Sequence, residues 1–452
     1  MSSFASSRIE SEKLASAPVV DRLALEPVSD LLSRREHPLR RALIEELHVR
    51  RFPSFSAPTR ITQLVMYEGD DIAARSRQCA EALCARYGAT SPPKGRYFSV
   101  RLRDIDFVWE SHTEFTTWSF IKSGEFEHPF ERPVLYELPH DWIESLPGQT
   151  IRATQVAVVG RATRLSSEQL QTFFNMEEAV CCDVLGWRAR IWSNFRVHRD
   201  GFGRLLIHDR ACASAGDTAR LVQRLQELGN YRNMALLALP VAQSLSPELS
   251  KMETKLASLT REIAQGCADD EQLFHELSRL SAELARLIED TRYRMSATRA
   301  YAQLVGDRLR DLRPRAVPGY QTLTDFTERR LTPAVRTCES FEQRLEDLSQ
   351  RAAFSSSLIR TRIETTLAKQ SRDLLVSMNQ RTTLQLRLQQ TVEGLSVLAI
   401  SYYAIGILGY VSKALAHVVL VDVNLVLGIV APMVVAAVWV GIRAVRRSWD
   451  PS

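Results

Sequence analysis

The chain has 452 residues, of which 45% are hydrophobic and 25% charged, and 58 Lys and Arg against 53 Asp and Glu leave a net charge of +5. That length makes room for two or three domains with a sizeable core. A mild positive balance over so long a chain lacks the concentrated basic face of a nucleic-acid binder, and the seven scattered cysteines fit a reducing compartment, with the thiol as a small hydrophobe.

In chain order, residues 1–30 read as a disordered tail. Met1–Pro18 is rich in Ser and Ala and lacks the apolar core of a secretory signal. Pro38 opens a helix with Leu39, Leu43, Ile44 and Leu47 at helical spacing, ended by Pro53 and Pro58. Ile61–Tyr67 is a strand. Ala73–Tyr87 is a helix with Ala80, Leu83 and Cys84 on one face, stopped at Gly88. Arg96–Arg103, Asp106–Glu110 and Glu114–Lys122 read as strands, the third carrying Phe115, Trp118 and Phe120. Pro129, Pro133 and Pro139 break the chain before a short helix at Asp141–Leu146. Thr154–Val159 is a strand and Ser166–Val180 a helix. Arg188–His198 and Gly203–His208 form a hairpin around Asp200-Gly201. Helices near Ala213–Leu228 and Tyr231–Ser244 complete an α+β domain over residues 31–245.

At Ser246-Pro247-Glu248 the texture changes: Ser at the N-cap and Pro at the first helical position open a long helix. Leu249, Met252, Leu256, Leu259 and Ile263 are spaced 3, 4, 3, 4, and Leu273, Leu277, Leu280, Leu284 and Leu287 are spaced 4, 3, 4, 3. That is a coiled-coil-like seam, interrupted at Gly266–Asp270. Arg313–Gly319 is a turn. Thr322–Gln390 is again helical, with Leu331, Val335, Cys338, Leu345, Ala352, Ile359 and Ile363 in a 3–4 pattern. The two halves of 246–392 are expected to pack as a long antiparallel helical hairpin, a stalk.

Gly394–Val411 and Leu425–Ile442 are charge-free apolar runs of 18 residues each. A membrane helix needs ~17–25 such residues. They predict a transmembrane hairpin over 393–447, with spans at about 394–411 and 424–442, and a short tail at 448–452. Arg381 and Arg387 precede the first run, and Arg443, Arg446 and Arg447 follow the second, whereas the loop's only basic residue is Lys413, partly offset by Asp422. The positive-inside rule then places the N-terminal domain and the C-terminus in the cytoplasm. The alternative is a buried core hairpin in a soluble protein. In the first run, Ser401, Tyr402, Tyr403, Gly406 and Gly409 fit either close helix packing or a wet lumen.

Candidate chemistry is sparse. His112 and Glu114 flank Thr113 in a strand-like segment, so they would share a face. With His140 they would make a metal or acid–base site if the fold brought all three together; otherwise they are strand-edge and turn residues. Arg132, among Glu127, Glu131 and Glu137, reads as an anion site or a surface salt bridge. Neither a phosphate-binding glycine loop nor a GxSxG elbow occurs: Gly201-Phe202-Gly203 opens a strand. Cys181-Cys182 read as two buried thiols.

The strings HPLRRALIEELHVRRFP (37–53), HTEFTTWSF (112–120), FERPVLYELPHDWIESLPG (130–148) and LRLQQTVEGLSVLAISYYAIGILGY (386–410) are spread over most of the chain. They resemble a bacterial family known as domain of unknown function 3422. That resemblance implies a membrane-anchored protein and no particular activity. The layout is also similar to CorA-type magnesium channels, which would imply a pentamer with the first span lining a pore. Their Gly-Met-Asn signature is absent; the position reads Gly409-Tyr410-Val411-Ser412-Lys413. The sequence thus points to a membrane-anchored oligomer of the bacterial inner membrane that is not an enzyme. Its cytoplasmic domain would bind a protein partner or sense a ligand. Its expected partners are the lipid bilayer and copies of itself, with no nucleic acid and no cofactor. A CorA-like ion channel or transporter is the alternative, and a metal hydrolase using His112, Glu114 and His140 is a third reading.

Overall fold

A computed structural model describes residues 36–40, 43–44, 52–67, 72–90, 95–266, 269–415 and 423–449. The tail at 1–30, most of the helix expected from Pro38, the loop between the apolar runs and residues 450–452 lie outside that range.

Nine strands form one mixed sheet. They are β1 (Thr59–Tyr67), β2 (Tyr97–Leu102), β3 (Ile105–Ser111), β4 (Phe115–Ser123), β5 (Gln149–Val159), β6 (Val180–Val184), β7 (Ala189–Ser193), β8 (Gly203–Asp209) and β9 (Arg315–Ala316). Their order is β2-β3-β4-β1-β5-β8-β7-β6-β9. Only β5 and β8 run parallel; the other named pairings are antiparallel. Successive side chains of a strand point to opposite faces. β1 therefore sends Ile61 and Val65 to one face and Leu64 and Met66 to the other, and β8 divides Leu205 and Ile207 from Leu206 in the same way.

Both faces are covered, which is why these strands are apolar almost throughout. On the first face lie α4 (Ala215–Leu236) and parts of α6 (Asp270–Leu312) and α7 (Leu323–Leu415), through Leu221, Leu225, Leu228, Val305, Leu309 and Leu331. On the second face, α1 (Ile72–Arg86) and α2 (His140–Glu144) close an aromatic core around Phe107, Trp109, Trp118 and Trp142. Beside it, α3 (Ser167–Phe173) covers Phe130, Phe174 and Trp192.

Four expectations need correction. The helix from Ser166 ends at Phe173, and Val180 opens β6. Gly229 and Asn230 do not break a helix; they lie inside α4. Ser246 is not an N-cap: α5 (Ala238–Gln265) runs through Pro247, and the Ser246 hydroxyl donates to the Ala242 carbonyl at 2.6 Å. Local stop signals lose here to the packing of the apolar face. Finally, residues 285–347 of the expected stalk pack with the sheet, because Val305, Leu309, Leu312, Leu323 and Leu331 are buried in its core.

The chain accordingly divides into two units, 1–251 with 285–347, and 252–284 with 348–452. The first is the sheet and its helices. In the second, Met252, Leu256 and Leu259 of α5, Leu273, Leu277, Leu280 and Leu284 of α6, and Leu348, Ala352 and Ile359 of α7 are buried. Three helices share the seam where two were expected. Arg362 joins them, pairing with Asp270 at 2.6 Å and donating to the Ile263 carbonyl at 3.2 Å. Beyond Ile363, α7 continues as a helix whose side chains are exposed from 364 to 392. It and α8 (Val423–Trp449) each contain a stretch of 18 residues apolar enough to cross a membrane.

Candidate functional site

The structure does not assemble His112, Glu114 and His140. His112 lies in the turn between β3 and β4, where its ring stacks on Phe115 with centroids 4.1 Å apart and its Nε2 stands 3.6 Å from the Glu110 carboxylate. Glu114 is buried and paired with Arg294 of α6. His140 opens α2, on the other side of the sheet, exposed and 3.4 Å from Glu144. Among the described residues, no group of three His, Cys, Asp or Glu could hold a metal ion. Arg132 donates to the Tyr136 carbonyl at 3.3 Å, while Glu137 pairs with Lys122 at 2.5 Å.

In the first apolar run, the Ser401 side chain is shielded and its hydroxyl has no hydrogen-bond partner. Tyr402 and Tyr403 point outward, 75% and 70% exposed. A β-carbon on Gly409 would stand 3.7 Å from Leu427 of α8, ordinary packing distance, whereas one on Gly406 would meet nothing.

A ligand-sized cavity lies elsewhere. It measures about 360 Å³ and lies between the β5-β8-β7 part of the sheet and α4, with Leu323 at the start of α7 on its wall. Its rim is the exposed loop carrying Arg196, Val197 and Gly201. Its charged lining consists of Arg152, Arg196, Arg204 and Arg232, with no acidic residue.

Each arginine is placed by its element. Arg152 projects from β5 toward α4, where its Nη1 donates to Asn230 Oδ1 at 2.8 Å and Gln63 Oε1 at 3.0 Å. Both partners are neutral amides. Arg232 lies two residues after Asn230 on α4. Its guanidinium lies 4.4 Å from the Phe195 ring centroid and 5.4 Å from that of Phe326, a cation–π arrangement, and its Nη1 is shielded without a hydrogen-bond partner. Arg204 pairs with Asp200 at 3.4 Å, and Arg196 with Glu178 at 2.5 Å. Arg152 and Arg232 have no carboxylate partner among the described residues.

Electrostatics agree with that count. Burial first, and then the Arg232 charge, push the Arg152 guanidinium down to about 9. Burial, followed by Arg330, pushes Arg232 down to about 10. At neutral pH both remain charged, in surroundings that penalise the charge.

Sequence reasoning missed this site. Arg152, Arg204 and Arg232 belong to three separate elements and form no motif. The one local signal is Gly229-Asn230 inside an otherwise good helix, the place where Arg152 lies against α4.

The chain matches the model of the family described as Protein of unknown function (DUF3422) over residues 35–449, nearly its whole length, and belongs to that family. No curated protein matches it. The architectural likeness to CorA-type channels is not supported by these comparisons.

Proposed function

We propose that the protein is a non-enzymatic, membrane-anchored, self-associating binding protein whose sheet domain senses a small ligand from the cytoplasm. One observation carries this reading: the helix α7 that lines the ligand-sized cavity at Leu323 also supplies the first apolar run. A cavity of a few hundred Å³ is the size that takes small molecules. Its polar groups are arginines, amides and hydroxyls. An arginine stays charged at any physiological pH, so it binds and orients but does not shuttle protons. Basic residues after the second run and before the first favour the cytoplasmic orientation.

The test is fractionation of cells expressing the full chain or a chain ending at Glu393. The full chain should stay with the membranes after an alkaline wash, and the truncation should be soluble with its sheet domain folded. A truncation that still sediments with membranes overturns the anchor. A channel is the second reading, favoured by the outward-facing hydroxyl groups of Tyr402 and Tyr403 in the first run, which need partners or water in a bilayer. Ion flux in liposomes containing the pure protein would support it.

A further inference from the structure

We propose that the arginine cavity is the binding site of a small dianion of the phosphate class, held between Arg152 and Arg232. This rests on reading the cavity as the ligand site and adds the chemistry of the ligand. Four of its lining residues are arginines and none is acidic; Arg204 lines it from β8 but turns its guanidinium to the opposite face of the sheet, over Phe130. Arg196 is neutralised from outside by Glu178, and Arg204 is paired with Asp200 away from the cavity. Two positive charges remain uncompensated. A buried charge without a counter-ion is costly, so a ligand bearing two negative charges is the complement that removes the most cost. A phosphate monoester carries close to that charge at neutral pH.

Donor geometry points the same way. The guanidinium fork matches phosphate and carboxylate oxygens in pairs. The shielded Nη1 of Arg232 has no partner among the described residues. Arg152 spends Nη1 on two neutral amides, and no hydrogen bond engages its Nε or Nη2. Spare donors therefore come from β5 and from α4, on two sides of one space. The apolar floor of Ile191, Leu205 and Leu225 leaves room for a modest organic body behind the anionic group. The volume suits a phosphorylated small molecule and excludes a polymer strand lying inside.

Gly229 supports a built site. It keeps the middle of α4 free of a β-carbon that would otherwise meet the Arg152 guanidinium. A glycine there weakens the helix, and in return Arg152 lies flat against it.

The experiment uses the full chain in mild detergent and a chloride buffer free of phosphate and sulfate. Binding is followed by calorimetry and by thermal unfolding with inorganic phosphate, succinate and a panel of neutral small molecules. Phosphate should bind saturably with a dissociation constant below ~1 mM. Arg232→Gln should weaken it by roughly tenfold to a hundredfold, as loss of a charge-assisted hydrogen bond does. Without phosphate, Arg232→Gln should unfold at a higher temperature than the parent, because an unpaired buried charge is gone. A purely structural arginine would give the opposite sign. Arg152→Gln serves as the second variant should Arg232→Gln fail to fold. No saturable binding of phosphate up to ~10 mM, or equal binding by parent and variants, overturns the proposal. Succinate binding more tightly than phosphate overturns the phosphate assignment. If phosphate fails while a neutral compound binds and is blocked by Leu228→Trp, the cavity remains a ligand site of another class. If nothing binds, both readings fall.

Discussion

A β-carbon on Gly229 would stand 2.7 Å from Cζ of Arg152, so the helix backbone and the guanidinium compete for one volume. Gly229 sits inside the 22-residue helix α4, where glycine costs ~1 kcal/mol against alanine. Arg152, laid in the gap, reaches Gln63 and Asn230 and so ties β5 to β1 and α4.

Gly229→Ala should therefore destabilise the protein, by about 1–2 kcal/mol, since a displaced buried arginine loses two hydrogen bonds that outweigh the helix gain. With Arg152→Ala already in place, the same change should stabilise by ~0.5–1 kcal/mol, because only the helix term is left. Denaturation of the four proteins of this cycle gives the sign in each background. The same sign in both means that the two residues are not coupled.

Asp183 on β6 is fully buried. It is held in a fork by Arg190, its cross-strand neighbour on β7, at 2.6 and 2.9 Å, with Arg210 at 3.3 Å. Removing one partner of a buried pair leaves the others uncompensated and typically costs ~3–5 kcal/mol. Both arginines reach water in part, which puts Asp183→Ala at the lower end, about 3 kcal/mol. Tryptophan-monitored denaturation of the full chain should show that loss, and a change below ~1 kcal/mol would make the pair an ordinary surface contact.

Most of the sheet strands were legible because their chemistry is local; β6, hidden behind a helix expected to reach Val180, and β9, inside an expected turn, were not. Phe115, Trp118 and Phe120 mark β4, and alternation marks β2. The helix limits were not. Gly229 and Pro247 are stop signals that tertiary packing overrides, and the stretch 285–347 shares the helical spacing of the seam while its apolar face meets the sheet. The arginine cavity was illegible for a different reason. An inward arginine and a surface arginine look the same in a sequence, and Arg152 and Arg232 meet only through the pairing of β5 and the packing of α4. His112, Glu114 and His140 show the converse: adjacency on paper placed them on two sides of a sheet.

Two histidines set an expected pH dependence. Burial, and then Arg204, hold His198 below its ordinary value of 6.5; burial, and then Arg210, do the same for His208. The unfolded chain then takes up protons first as the pH falls. Stability should be constant above pH 6.5 on this account, decline as the pH drops below it, and level off under the depressed folded values. Thermal unfolding at pH 7.5, 6 and 5 reads the slope, and His208→Gln should flatten part of it. An undiminished slope in that variant would assign the effect to other groups. Asp104, Asp141 and Asp217, lowered by Lys122, Arg86 and Arg220 respectively, act only in a more acidic window, below 3.8.

The proposed self-association has a candidate surface in α7. Ile363, Leu367, Leu374, Met378, Leu384, Leu388 and Val392 fall on one side of a helix whose residues 364–390 are all exposed. A single helix of this length, ~45 Å for 30 residues, is marginal in water without a partner for its apolar face. Exposed apolar patches beyond a few hundred Å² mark contact surfaces, and the stripe's six exposed side chains from Leu367 to Val392 exceed that. A stripe that keeps to one side of the helix over this length matches itself, so a second copy of the same helix is the fitting partner. The oligomeric mass of the full chain in mild detergent should exceed that of a monomer. Leu374→Lys with Leu388→Lys should lower it, because two charges would enter the seam. A monomeric parent protein, or an assembly indifferent to both lysines, removes the stripe as the contact. A single pentameric species would instead bring the channel reading forward, since five first runs suffice to surround a lumen.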